Sequence, residues 1–144
     1  MKRLLMLIPL VFLCCLGCQQ GEKVTATDVG ADIQAIKDIL TEWESAINTS
    51  DIEKAMLHRA DDEVSISPNK PAKIGTEAER DSLRRAFEQS TYHDTYNIKD
   101  IRVSGDLAVA HVTFESVATP KAGGEPTMHI GNWIVVFEKQ PEDT

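Results

Sequence analysis

Asp62-Glu63-Val64-Ser65-Ile66-Ser67-Pro68-Asn69-Lys70-Pro71-Ala72-Lys73-Ile74-Gly75-Thr76-Glu77-Ala78 runs on into a helical stretch through Leu83 and Phe87, and its order decides where every other element goes. Val64 and Ile66 alternate with polar residues as on a half-buried strand, and the Pro68 to Pro71 cluster breaks any helix and turns the chain. Ile74 and Gly75 then hand over to a helix. Thr76 with Glu79 reads as a capping box, hydroxyl and carboxylate each satisfying a backbone N–H that the first turn leaves unpaired. The stretch is strand, turn, strand, helix.

Upstream, Ile33, Ile36, Leu40, Trp43 and Ile47 recur at spacings of three and four, one face of a helix ending near Asn48. Ser50 with Glu53 reads as a second capping box, opening a helix that carries Ile52, Ala55 and Met56. The short turn between the two helices predicts that they lie against each other. Downstream of the helix through Phe87, which should end near Ser90, Tyr96, Ile98, Ile101 and Val103 lead to the hairpin signal Ser104-Gly105-Asp106. Leu107 to Ala118 and Thr127 to Glu138 are β-type runs separated by a turn holding Gly123-Gly124. Three helices and a run of antiparallel strands predict an α+β domain with the helices on one face of a sheet.

The front of the chain has a different character. Met1-Lys2-Arg3 and the apolar run Leu4 to Leu16 form a signal-peptide pattern, closing on Cys15-Leu16-Gly17-Cys18, which resembles a bacterial lipobox with Cys18 as the lipidated residue. The expected organisation is a signal peptide over 1–17, a lipidated tether over 18–30 and one domain over 31–144. This places the protein at the cell envelope on the periplasmic side, held to the membrane by the lipid; a soluble secreted or periplasmic form is the alternative. Cys14, Cys15 and Cys18 are the whole cysteine complement, so the exported domain has neither disulfide nor thiolate site and must be stabilised by packing. The net charge is −8, and losing Lys2 and Arg3 from the 15 basic residues leaves 13 against 23 acidic ones, or −10. No basic cluster offsets this surplus, which excludes nucleic acid as a partner.

Trp43-x-x-Ala46, Ser50-Asp51, Ala60-Asp61-Asp62, Pro68-Asn69-x-Pro71, Gly75-x-Glu77-Ala78, Ser104-Gly105-Asp106-x-Ala108 and Gly131-x-Trp133 follow in order along the chain. Together they resemble the SnoaL-like branch of the nuclear transport factor 2-like superfamily. The resemblance implies a cone-shaped α+β domain, its three helices packed on a strongly curved antiparallel sheet with a cavity at the wide end, commonly dimeric. It implies little about function, because this fold hosts isomerases, dehydratases, hydrolases and non-catalytic domains. Such domains usually continue past the strand equivalent to Trp133–Phe137 into a final strand in the middle of the sheet, and this sequence ends at Thr144 without it. Three outcomes are open: the strand around Val64 to Ser67 closes directly on Thr127 to Phe137, a second subunit fills the gap, or the chain is truncated.

Among chemical candidates, His111 and His129 sit on adjacent strands. If Thr119 faces Thr127, they are six residues out of step, roughly 20 Å at ~3.3 Å per residue, which excludes a shared metal. His58 falls at the end of the second helix and His93 in a polar turn, both read as helix-end or loop residues. Asp61 and Asp62 are neighbours on opposite faces of an extended segment and cannot share a proton. On the strand from Leu107, the face of Ala108, Ala110, Val112 and Phe114 should meet the helices, which puts His111 and Glu115 outside. No nucleophile elbow, phosphate loop or dinucleotide fingerprint is present, nor the Tyr/Asp and Asp-Arg-Asp sets of the superfamily's isomerases and epoxide hydrolases at matched positions. No cofactor and no metal is expected.

Trp43, Phe87, Phe114 and Trp133 are the candidate ligand-binding residues, with core packing as the competing role. The favoured function is a lipid-anchored domain that binds a small apolar ligand or serves as a homodimeric interaction module without catalysis. The alternative is an isomerase-like enzyme doing acid-base chemistry on a hydrophobic substrate, for which His58, Asp61 and Asp62 are the nearest candidates. The third possibility is a truncated remnant without function. A cavity free of Asp, Glu, His and Tyr would exclude the enzyme.

Overall fold

Asp28 opens the first helix, α1 (Val29–Thr49), in the computed structural model, which describes residues 28–140. The leader, Cys18, most of the tether and residues 141–144 lie outside the described residues. Asp28 Oδ1 accepts from the Ala31 amide at 3.2 Å, so the helix starts before the apolar period does. The predicted stripe buries Ile36 and Leu40, and Ala46 joins them. Ser50 ends the helix in the left-handed region, φ 55°, its N–H bonding back to Ala46 and Ile47.

That conformation corrects the expected Ser50–Glu53 capping box. Ser50 belongs to the end of α1, and Asp51 caps α2 (Ile52–Met56) instead, its Oδ1 accepting from Lys54 N at 3.1 Å. The Thr76–Glu79 box is likewise absent. Strands β1 (Val64–Ser65) and β2 (Lys73–Ile74) pair antiparallel, and Gly75, at φ 84°, carries the chain into α3 (Thr76–Gln89). Gly75 N–H is already bonded to Glu63 O at 2.8 Å, and no side chain caps the helix. Glu79 is turned inward to cations instead, a stronger partner than a single amide.

Strand β3 (Ser90–Ser104) follows α3 without a loop, then β4 (Leu107–Pro120) and β5 (Thr127–Glu138) complete a sheet of order β3-β4-β5. His93 is therefore not in a turn: it lies on β3 opposite Val117, facing out. A bulge between Ile98 and Asp100 resets the alternation, so Tyr92, Asp94, Tyr96 and Ile98 share the inner face with Ile101 and Val103 beyond it. The inner face of β4 behaves as expected: Ala108, Ala110 and Val112 pack against Ile36 and Leu40 to form the core. Small alanines on the sheet let α1 approach closely. Two contacts from α1 serve the outer edge of β3: Asn48 exchanges bonds of 2.9 and 2.6 Å with the Asp94 backbone, and Glu44 accepts from Tyr96 N at 2.6 Å.

Ala118, not Thr119, faces Thr127, so the β4–β5 register is one residue off the expectation. His129 stands opposite Ser116, five residues from His111's position, and His111 instead shares a 3.0 Å hydrogen bond with Asn132. The β1 strand does not close on β5; it pairs with β2 alone, in a separate small sheet. The other edge of β5 is thus unpaired among the described residues, and Met128, Ile130, Ile134 and Val136 are exposed on its outer face.

Candidate functional site

A cleft of about 1,630 Å³ opens between α1 and the sheet on one side and the segment from α2 to β1, with α3, on the other. It is roomier than the ~300–1,000 Å³ of a closed small-molecule pocket, because nothing described pairs with the β5 edge that forms one rim. Aromatic rings set its walls. Tyr96 meets Trp133 edge-on with centroids 4.7 Å apart, and Phe87 meets Tyr92 edge-on at 6.0 Å.

Beneath α2 the wall is ionic. Arg59 donates to Glu63 Oε2 at 2.6 Å and to Ala55 O at 3.2 Å, and its guanidinium lies 4.3 Å from the Trp43 ring centroid. Glu79 sits between Lys73, which it contacts closely, and Arg59 at 3.8 Å. The side chains of Arg59, Glu63 and Glu79 are only 11–15% exposed, so these charges are held as ion pairs in a low-dielectric setting, with Glu63 Oε1 and, apart from its contact with Lys73, Glu79 Oε2 left without a hydrogen-bond partner among the described residues. Trp43 is fixed in the same cluster by its indole N–H, which donates to Ala55 O at 2.7 Å.

Asp94 stands outside this ion-pair network. It is 6% exposed, its Oδ2 accepts from the Tyr96 hydroxyl at 3.2 Å, and its Oδ1 has no hydrogen-bond partner among the described residues. No cation pairs with it among those residues. Burial, followed by the charge and hydrogen bond of Asp94 and the charge of Glu44, drives the Tyr96 phenol far above its ordinary value, so that it stays a proton donor. The Asp94 carboxylate and the neutral phenol beside it form a buried acid–phenol pair in the cleft lining, the residue types that proton exchange uses, with Asp94 Oδ1 itself covered from solvent.

The family model for the SnoaL-like domain matches residues 36–143. The chain belongs to the SnoaL-like domain family. Solved structures agree on the fold. A conserved protein from Planctomyces limnophilus superposes with a TM-score of 0.74 at 19% identity, covering 77% of this chain and 86% of that one. A ketosteroid isomerase-like protein from Erwinia carotovora atroseptica gives 0.68 at 24% identity over 76% and 85% of the two chains. A nuclear transport factor 2-like superfamily protein from Salmonella enterica gives 0.68 at 18% over 79% and 84%. No curated protein matches in sequence.

In this SnoaL-like domain, Trp43, Phe87 and Trp133 line the cleft. Phe114 does not: it stacks on Trp133 at 4.8 Å, with its ring over Gly131, where a Cβ would meet Phe114 Cε1 at 2.6 Å. His58, Asp61 and Asp62 stand at the cleft's mouth, exposed, and His58 is engaged with Glu42 of α1 at 2.9 Å. The buried acid and phenol, Asp94 and Tyr96, escape sequence reasoning. Their i, i+2 spacing just after the third helix is the available signal, hidden when that segment is read as a turn. Among the described residues, no group of three or more His, Cys, Asp or Glu is placed to hold a metal.

Proposed function

We propose that the SnoaL-like cleft binds a small, mostly apolar molecule and holds it by one polar end, without chemistry on it. The observation that supports this reading is a large cleft walled by Trp133, Tyr96, Phe87 and Tyr92, with the Asp94–Tyr96 pair in its lining. Apolar burial supplies the affinity, and the few polar groups of the lining, the Asp94–Tyr96 pair among them, set the orientation. The test is titration of the protein with a panel of small aromatic alcohols and amines, read by tryptophan fluorescence from Trp43 and Trp133. Saturable binding that Asp94→Asn weakens supports the proposal; no response up to millimolar concentration refutes it.

A second reading is acid-base catalysis, with Asp94 as the base and Tyr96 as the proton donor, and its support is their 3.2 Å hydrogen bond inside the same cleft. It displaces His58, Asp61 and Asp62, which are exposed. Wash-out of deuterium α to the carbonyl of a cyclic enone, lost in Asp94→Asn, would establish it. In either reading the domain sits at the envelope on a lipid at Cys18, which mass spectrometry of the membrane fraction tests. It also pairs as a homodimer, for which Met128, Ile130, Ile134 and Val136 offer an apolar outer face that sedimentation of an Ile134→Lys variant would test.

A further inference from the structure

The two edges of the sheet β3-β4-β5 are finished differently. On β3, a bulge at Lys99 interrupts the edge, and Asn48 and Glu44 of α1 bond to the backbone at Asp94 and Tyr96. On β5 nothing comparable is found among the described residues: residues 132–137 include no proline and no charge, the pairing with β4 runs without a bulge, and no strand lies beside the other edge. An edge in this state offers a row of N–H and C=O groups to any extended chain. A second open edge lies across the cleft. β1 pairs with β2 on one side only, and residues 64–67 line the same cleft as residues 132–138, while β2 reaches it through Lys73 alone.

The space between these edges is that of one short strand. The cleft's 1,630 Å³ exceeds a ~300–1,000 Å³ small-molecule pocket by roughly 600–1,300 Å³. A residue in a packed sheet takes up about 160 Å³, from ~3.3 Å along the strand, ~4.8 Å between strands and ~10 Å between layers, so the excess holds about four to eight residues. The part of β5 that lines the cleft, residues 132–138, is seven residues long. Neighbours set the character of such a strand: Trp133 and Phe137 adjoin the core on the inner face, while Ile134 and Val136 of β5, with Val64 and Ile66 across the cleft, are exposed. A strand lying between them meets apolar side chains on both faces, as a strand inside a sheet does.

We propose that this rim takes one extended segment of another polypeptide, about seven residues of β-branched or aromatic character, which adds as a strand between β5 and β1 and walls off the cleft. The proposal stands on the two edges and holds whatever molecule the interior takes. A second copy of this chain fits the place less well, because its β5 arrives with β4 attached and the excess volume is that of a single strand.

The probe is a fluorescein-labelled peptide, Lys-Thr-Val-Ile-Val-Tyr-Val-Thr-Lys, with a control N-methylated at every residue between the lysines, which keeps the side chains and removes the backbone donors. Each is titrated against the native full-length protein by fluorescence anisotropy, and amide hydrogen exchange is followed by mass spectrometry with and without peptide. The expected result is saturable binding of the parent peptide, binding of the control weaker by at least about tenfold because several backbone hydrogen bonds are lost, and slowed exchange of residues 132–138 and 64–67 in the complex. Equal binding of the two peptides, no saturable binding of the parent up to millimolar concentration, or protection confined to other segments overturns the proposal. Protection of residues 132–138 that rises with protein concentration alone also overturns it, by putting a second copy on the edge. Every comparison uses the native chain, so no outcome depends on whether a variant folds.

Discussion

Replacing Glu79 by Gln separates two roles for one residue. As the third residue of a capping box, Glu79 would contribute about 1 kcal/mol, and Thr76→Ala would cost a similar amount because the box is reciprocal. The structure gives Glu79 a different role, since its side chain is 11% exposed and lies between Lys73 and Arg59, while Thr76 caps nothing. Breaking a buried ion pair by removing one partner costs about 3–5 kcal/mol, since the other charge is left without compensation. Lys73, at 30% exposure, can turn toward water, and Arg59 retains Glu63, so the low end applies. Glu79→Gln should therefore destabilise by about 3 kcal/mol and Thr76→Ala by less than about 0.5 kcal/mol. Urea denaturation followed by tryptophan fluorescence measures both, with the slope of the transition checked for constancy. Losses near 1 kcal/mol for each variant would restore the capping box and refute the inward placement of Glu79.

Leu40→Ala should cost about 3–5 kcal/mol in the same assay, because Leu40 is 1% exposed against Ala108 and Ala110, which are too small to fill the hole. Gly131→Ala should cost about 1–3 kcal/mol and diminish the near-ultraviolet circular dichroism of the Phe114–Trp133 stack, since the new methyl group must push the Phe114 ring aside. Tyr96 binds its proton more tightly when folded than when unfolded. Its contribution is therefore fully present below the ordinary tyrosine value of 10.0 and declines as the pH rises beyond it. Alkaline pH should destabilise the native protein more steeply than Tyr96→Phe, a difference that thermal melts across that range would show.

The β3 segment shows where sequence patterns stop being legible. Tyr96, Ile98, Ile101 and Val103 are readable as strand positions, and their spacing of two, three, two already carries the bulge at Ile98/Asp100. Ser90 to Asp94 is not readable: its inward residues include an acid, and alternation of polarity cannot reveal a strand whose buried face is polar. The same blindness hides the candidate site. Asp94 sits on the inner face of a strand that α1 packs against, with Asn48 bonded to both backbone groups of Asp94 and Glu44 to the Tyr96 amide across 46 and 52 residues of chain. Both capping boxes fail for a related reason, since the motif matches a local competition that Gly75, Asp51 and the Arg59–Lys73 pair win.

From the amino-acid order alone came the element types, the apolar stripe of α1, the buried face of β4 and the family, because each follows from periodicity or from residues close in the chain. Tertiary structure decided the β4–β5 register, the separation of the β1–β2 hairpin from the β5 edge and the joining of Asp94 and Tyr96 to a cleft. Those outcomes depend on contacts between distant segments, where a shift of one residue turns a side chain from the interior to the solvent.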